Sequence, residues 1–419
     1  MIRFYNGKVL AMNGGTEVTA DEVWTDGAKI CYVGPAKAEM PAFERQIDLK
    51  GNLLIPGFKN AHTHSAMTFW RALADDVPLQ PWLFDQIFPL EAKLTPERVY
   101  AFTKLAILEY LTSGITAAFD MYYFRDMGAQ ACIDSGFRYV FCGLTDPPEA
   151  VEEDYLHFNA LHPLISLIPG LHAEYTADEE KFRVVRELVQ KYKAPFFTHN
   201  SETASEVADC IARRGMTPTE WFESLGLFDY GGGGYHCVHF SDHDIEIFKN
   251  RGLSVVTCPA SNAKLASGIA PLQRYMDEGI NLAIGTDGPA SNNGLDMFRE
   301  MYLVSALQKY KRNDAAAGDA DRTLRMACVG GAHAMGLFDC DDLAVGKKAD
   351  LTVIDMRQPN MQPPHNIAKN LVYSGSKSNI RLTMVNGKIL YENGEYFIGE
   401  DQETIYQRVA AHSERLFHE

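Results

Sequence analysis

Between residues 95 and 290 the chain alternates stretches of helical period with short apolar runs, and no other feature limits its possible folds more. Thr95 stands before Pro96-Glu97-Arg98 and apolar residues at helical spacing, so a capped helix is predicted there, stopped by Gly114. Ile115 to Asp120 then reads as a strand. The pattern repeats with a helix near 126–135, strands at Tyr139-Val140-Phe141 and Leu164 to Ile168, a helix over 177–192 and a strand from Pro195 to His199. Further strands are predicted to end at His236-Cys237-Val238, near Val255-Val256-Thr257 and at Leu282 to Gly285. With the strand before His62, the alternation gives eight. Eight strand–helix units favour a (β/α)8 TIM-like barrel over a doubly wound sheet.

The two ends have another texture. Arg3-Phe4-Tyr5, Glu22-Val23-Trp24, Lys29 to Val33 and Gln46 to Leu49 read as short strands, with Asp26-Gly27 as a hairpin turn. Ala349 to Asp355 is another strand, and Leu382 to Val385 and Lys388 to Tyr391 flank Asn386-Gly387 as a hairpin. The expected division is a small β-sandwich domain built from residues 1–55 and 346–400, a catalytic barrel over 56–345, and a C-terminal helix over 401–419.

At 419 residues and 46% hydrophobic content, the chain can bury a large core. Its formal charge of −16 argues against nucleic acid and anionic membranes, which need a basic surface. Eight scattered cysteines form no Cys-x-x-Cys pair, so reduced thiols and a cytoplasmic setting are expected. The start lacks the apolar core of a signal peptide, and no apolar run reaches membrane-spanning length.

Chemistry gathers at the predicted strand ends. In an extended strand residues i and i+2 share a face, so His62 and His64 can present two imidazoles to one tetrahedral divalent metal. His199 ends the fifth strand, His236 the sixth, and Asp287 follows the eighth in Gly285-Thr286-Asp287-Gly288. Taken singly, each has an ordinary explanation, such as a hydrogen-bonded core histidine or a turn aspartate. Together they lie on the face where barrels of this kind carry active sites. A catalytic zinc site keeps one position open for water, which the ion acidifies.

The order His-x-His, His, His, Asp resembles the amidohydrolase superfamily over nearly the whole chain. Pro89-Leu90-Glu91, Asp120-Met121-Tyr122, His199-Asn200-Ser201-Glu202-Thr203, Ser261-Asn262 and Gly285 to Asn293 resemble the branch of 5′-methylthioadenosine/S-adenosylhomocysteine deaminases. That resemblance implies that His62, His64, His199 and Asp287 hold the metal. It implies that Glu202 shuttles a proton from water to the ring, with His236 and Asp287 orienting the attack. It further implies that Glu91 accepts hydrogen bonds from the ribose diol, that His172 and Ser291 touch the nucleoside, and that Trp82 walls the base. His239 is expected to point away as a support. No lysine lies between 139 and 180 to bridge a second ion, so one divalent metal is expected; zinc fits, as do iron and manganese.

The expected reaction is therefore deamination of an adenosine-type nucleoside by a homo-oligomeric enzyme. The alternatives are an aminohydrolase of a free base, such as guanine, 8-oxoguanine or a pterin, and a dechlorinating or amide hydrolase on the same barrel. Relatives that take S-adenosylhomocysteine use arginines after the third strand. Here residues 139–180 hold no Lys or Arg, while Asp146, Glu149, Glu152, Glu153 and Asp154 crowd the region. A buried carboxylate without a cation is costly, so a neutral 5′ substituent is expected, unless a residue such as Arg71 supplies the charge.

Overall fold

A computed structural model describes residues 1–143 and 150–418. Asp146 and Glu149 lie outside the described residues. The eight barrel strands are Phe58–Thr63, Ile115–Asp120, Arg138–Cys142, Ile165–Ile168 continued by Gly170–Leu171, Phe196–Asn200, Gly232–His236, Ser254–Thr257 and Asn281–Ile284. Every neighbouring pair is parallel. Pro169 interrupts the fourth strand, and its carbonyl accepts the Phe197 N–H at 3.1 Å, which keeps the third-to-fifth-strand connection unbroken. The ring closes where Thr286 N–H donates to Asn60 Oδ1 (2.8 Å) and Asp287 N–H to the His62 carbonyl (3.0 Å). Closure therefore fixes two site residues against each other.

The expected elements form with small shifts. Thr95 caps the helix Pro96–Thr112, its side chain accepting the Arg98 N–H, and Gly114 follows with φ +73°. The helix expected from 177 starts at Glu179 instead, because Asp178 caps it through the Lys181 N–H. The sixth strand stops at His236 rather than running to Val238, since His236 and Cys237 take the left-handed region at φ 67° and 48°.

The chain ends build two sheets. One has four strands, ordered Lys29–Gly34, Glu22–Asp26, Ile2–Tyr5 and Arg45–Asp48. The other has seven, and at its centre Leu53–Pro56 pairs antiparallel with Leu351–Ile354. Both contribute to one apolar cluster that includes Phe4, Val23, Leu54, Leu351 and Met384. The apolar run before His62 is thus two strands: Leu53–Pro56 belongs to the terminal sheet, and the barrel begins at Phe58. Gly57 makes the passage, and a Cβ there would meet Thr116 Cγ2 at 2.1 Å. Beneath the barrel, Arg138 at the start of the third strand grips Asp350 of the terminal sheet through two bonds of 2.6 and 3.0 Å, both side chains buried. The C-terminal helix Gln402–His418 packs on Pro96–Thr112.

Candidate metal centre and active site

His62 and His64 leave the first strand side by side, as the i, i+2 rule requires. The ligand atoms of His62, His64 and His199 lie within 4.8 Å of one another, as do those of His62, His236 and Asp287. Asp287 Oδ1 stands 3.5 Å from His62 Nε2 and 3.3 Å from His64 Nε2. Ligands about 2.0–2.2 Å from a tetrahedral zinc ion stand roughly 3.3–3.6 Å apart, so these spacings match two edges of such a tetrahedron.

The other ring nitrogens are held from behind. Nδ1 of His64 bonds the Met121 carbonyl and Nδ1 of His199 the His172 carbonyl, each at 2.6 Å. Such contacts set the tautomer and leave Nε2 for the centre. Burial drives the His62 pKa down to about 3 and that of His199 well below its ordinary value, so both rings keep a lone pair at neutral pH. Burial also opposes charge on His64 and Asp287, yet the Asp287 carboxylate holds His64 up at about 9, and His62 and His64 together hold Asp287 well below the usual carboxylate range. Among the described residues neither nitrogen of His62 has a hydrogen-bond partner, although the residue is fully buried. An orphaned polar group costs about 1–3 kcal/mol, and a coordinated cation removes that cost. The donor set fits a divalent ion.

Asp287 is over-determined. Its Oδ2 accepts hydrogen bonds from Ser261 (2.5 Å) and Ser291 (3.0 Å), and its Oδ1 from the Gly288 N–H (2.8 Å). These bonds hold Asp287 at φ 59°, a conformation that costs a non-glycine residue on the order of 1–3 kcal/mol. Ser291, expected against the nucleoside, gives its hydroxyl to Asp287 and stands behind that residue.

Beside the centre opens a cavity of about 390 Å³. His64, His199, Asp287, His236, Glu202, His172, Glu91 and Trp82 all line it. Glu202 follows the fifth strand in a loop pinned by Glu206, whose carboxylate accepts the Ser201 and Glu202 N–H groups at 2.9 and 2.8 Å. Burial raises the Glu202 pKa; His236, 3.8 Å away, opposes that shift and the negative Asp287 adds to it. His236 Nδ1 bonds Asn262 Oδ1 at 2.7 Å. His239 does turn away, bonding the Ser267 carbonyl at 2.7 Å, and the Ser267 hydroxyl donates to Glu202 at 3.2 Å. Glu91 has its pKa pushed up to about 7 by burial, offset in part by Tyr122 and His64.

Two cations also line the cavity, Arg125 and Lys181. They flank the 139–180 window, which itself holds no Lys or Arg, so positive charge reaches the cavity from outside that window. Arg71 takes no part in it; its guanidinium bonds Glu109 at 2.6 Å. The residues that cluster at this centre stand in sequence motifs, whereas Glu206 and these two cations do not, since their placement depends on contacts between separate segments.

Residues 53–390 match the model of the amidohydrolase family. A 5-methylthioadenosine/S-adenosylhomocysteine deaminase of Thermoanaerobacter pseudethanolicus is 37% identical over 397 residues, 92% of each chain. The protein of that name from Moorella thermoacetica is 39% identical over 394 residues, 91% of this chain and 92% of its own. The crystal structure of an adenosine deaminase from Xanthomonas campestris with bound zinc superposes with a TM-score of 0.95 at 34% identity, covering 100% of this chain and 99% of that one. This chain belongs to the amidohydrolase family.

Proposed function

We propose that the protein hydrolyses the exocyclic C–N bond of the adenine ring in an adenosine-type nucleoside, giving the inosine analogue and ammonia. Adenosine, 5′-deoxyadenosine, 5′-methylthioadenosine and S-adenosylhomocysteine are the substrates in view. The observation that carries this reading is the presence of Glu91 in the same cavity as Glu202 and His236. A buried carboxylate suits a cis-diol, which a free base lacks. The names of the relatives and the zinc-bound neighbour support it.

In this reading His62, His64, His199 and Asp287 hold one divalent ion, with zinc, iron or manganese compatible with the N/O donors. When bound, the ion makes water acidic enough to attack near neutral pH. Glu202 takes the proton from the attacking water and delivers it to N1 of the ring, which makes C6 electrophilic. It then takes the second proton from the oxygen now bonded to C6 and hands it to the departing amino group, so that the C6–N bond breaks, the carbonyl forms and ammonia leaves. The raised pKa of Glu202 suits a group that must both take and release a proton. His236, steadied by Asn262, orients the attacking oxygen. Trp82 walls the base, His172 and Ser291 touch the nucleoside, and Ser291 also holds Asp287. The reading includes a cytoplasmic homo-oligomer and a β-sandwich of residues 1–55 and 346–400 around the barrel at 56–345, with a closing helix at 401–419.

A panel of nucleosides and free bases assayed for ammonia release tests the proposal, with metal content measured on the same samples. Glu91→Ala should lower kcat/KM for ribosides by roughly 1–3 kcal/mol while leaving a 2′,3′-dideoxy analogue almost insensitive to the change. Turnover of free bases but not ribosides would overturn the nucleoside assignment, and two ions per active chain would overturn the mononuclear one.

A further inference from the structure

We infer that a widened helical turn, Trp82–Ile87, makes the cavity selective for a riboside by setting Glu91 on the helix face that Trp82 begins. The inference rests on the nucleoside reading above. Leu79 to Glu91 form one continuous helix, of which the first three residues and the last four are α-helical and the middle six wind as a π-helix. Leu79, Trp82, Leu83, Phe88 and Glu91 of this helix line the cavity. In an α-helix nine residues make about two and a half turns, so Trp82 and Glu91 would point to opposite sides.

The spacing of the lining residues resolves this. Leu79, Trp82 and Leu83 keep the α-helical steps of three and four that share a face, and Phe88 and Glu91 are again three apart. Between Leu83 and Phe88 the step is five, which in an α-helix would swing the side chain away by roughly 140°. There the Phe88 N–H bonds the Leu83 carbonyl, five residues back. A ring closed over five residues places Phe88 above Leu83, as a ring over four would in an α-helix. The turn holds one residue more than an α-helix needs, and Glu91 beyond it stays on the cavity side.

Pro89 gives the chain a reason to widen there. In an α-helix its ring would press on the carbonyl four residues back, that of Asp85, and would offer that carbonyl no N–H. Winding through five-residue rings just ahead of Pro89 relieves that contact. The surplus is carried outside, since Phe84, Asp85, Gln86 and Pro89 are exposed, whereas Trp82, Leu83 and Ile87 are buried. The inner face holds two unspent polar groups, Trp82 Nε1 and Glu91 Oε1, both buried and without a hydrogen-bond partner among the described residues. A buried donor and a buried carboxylate oxygen left unpaired by the fold suit a polar molecule entering the cavity. Pro89 is thus a positioning residue that acts on the sugar through Glu91.

The test reads the ratio of kcat/KM for adenosine to that for 2′,3′-dideoxyadenosine in the zinc-loaded enzyme, with zinc content measured on the same samples. Pro89→Ala lets the helix close into regular α-helical turns and swings Glu91 off the cavity face. The ratio should then fall roughly ten- to a hundredfold although Glu91 is unchanged. Deleting one exposed residue of the turn in that variant, Asp85 in one version and Gln86 in another, puts Glu91 eight residues from Trp82 and seven from Leu83. Both spacings share an α-helical face, so the ratio should recover. Inserting one alanine at the same place puts Glu91 nine residues from Leu83, on the opposite side, and should not restore it. Zinc content should be equal throughout, and a loss of zinc that tracks the ratio would overturn the inference by making the effect one of folding. A ratio unmoved by Pro89→Ala, or deletions that restore no more than the insertion, would overturn this inference alone. A wild-type enzyme that deaminates both nucleosides equally well would overturn the role of Glu91 and this inference with it.

Discussion

In the proposed reaction Glu202 must take up and release protons within each turnover, and its surroundings suit that demand better than they suit a fixed charge. Burial raises its pKa, while the Ser267 hydroxyl and His236 keep the ionised form attainable. Glu202→Gln keeps the size and much of the hydrogen bonding but cannot carry a proton. We expect kcat to fall by about 10² or more with the metal still bound, measured by steady-state kinetics and elemental analysis on one preparation. A variant turning over near the wild-type rate would move the shuttle to His236. At this scale the histidines and the aspartate that cluster at the centre were legible in the sequence because strand ends and the i, i+2 rule are local. Asn262, Ser261 and Glu206 act by holding ligands and loops in place, and the first two reach His236 and Asp287 across 26 residues of chain, a relation no spacing rule encodes. The local signals at Arg125 and Lys181 were only that they lie just outside a window otherwise empty of cations.

Between residue and molecule, the loops that support Asp287 and His236 are tied together from below by one helix, Met297–Arg312. Its Glu300 is fully buried and accepts hydrogen bonds from the Ala260 N–H (3.1 Å) and from Asn292 Nδ2 (2.8 Å). Ala260 and Asn292 neighbour Ser261 and Ser291, the two hydroxyls on Asp287. Burial pushes the Glu300 pKa up to about 8 from an ordinary 4.5, so the folded state holds this proton more tightly than the unfolded chain. Its contribution to stability is complete below about pH 4.5 and is lost as pH rises through about 8, a span worth on the order of a few kcal/mol. Glu300→Gln cannot ionise. Thermal unfolding from mildly acidic to alkaline pH should show the variant gaining on the wild type steadily as pH rises, and parallel curves would refute the assignment. The helix itself was not among the predicted elements. Strand and helix texture read well where caps and apolar periods agree, and poorly at the sixth strand, where left-handed backbone at His236 ends the ladder early.

Across the whole molecule, the Arg138–Asp350 pair joins the floor of the barrel to the terminal sheets. Removing one partner of a buried ion pair leaves the other charge unpaired, so Arg138→Met should cost about 3–5 kcal/mol in denaturant unfolding, while Arg138→Met with Asp350→Leu should recover most of it. Equal losses in the single and double variants would mean that packing, and not charge, governs this joint. The barrel and the contribution of both chain ends were legible from alternation and turn residues. The hand-over at Gly57 was not, because an apolar run does not say which sheet it joins. That hand-over has a consequence for synthesis. Leu53–Pro56 offers one edge to Leu351–Ile354, which the ribosome makes about 295 residues later. At about 5–20 residues per second, the apolar edge waits roughly 15–60 s for its partner. A nascent chain of this design must be shielded for that interval, and the strand that waits leads, through one glycine, straight into the strand that bears His62 and delivers His64 just past its end.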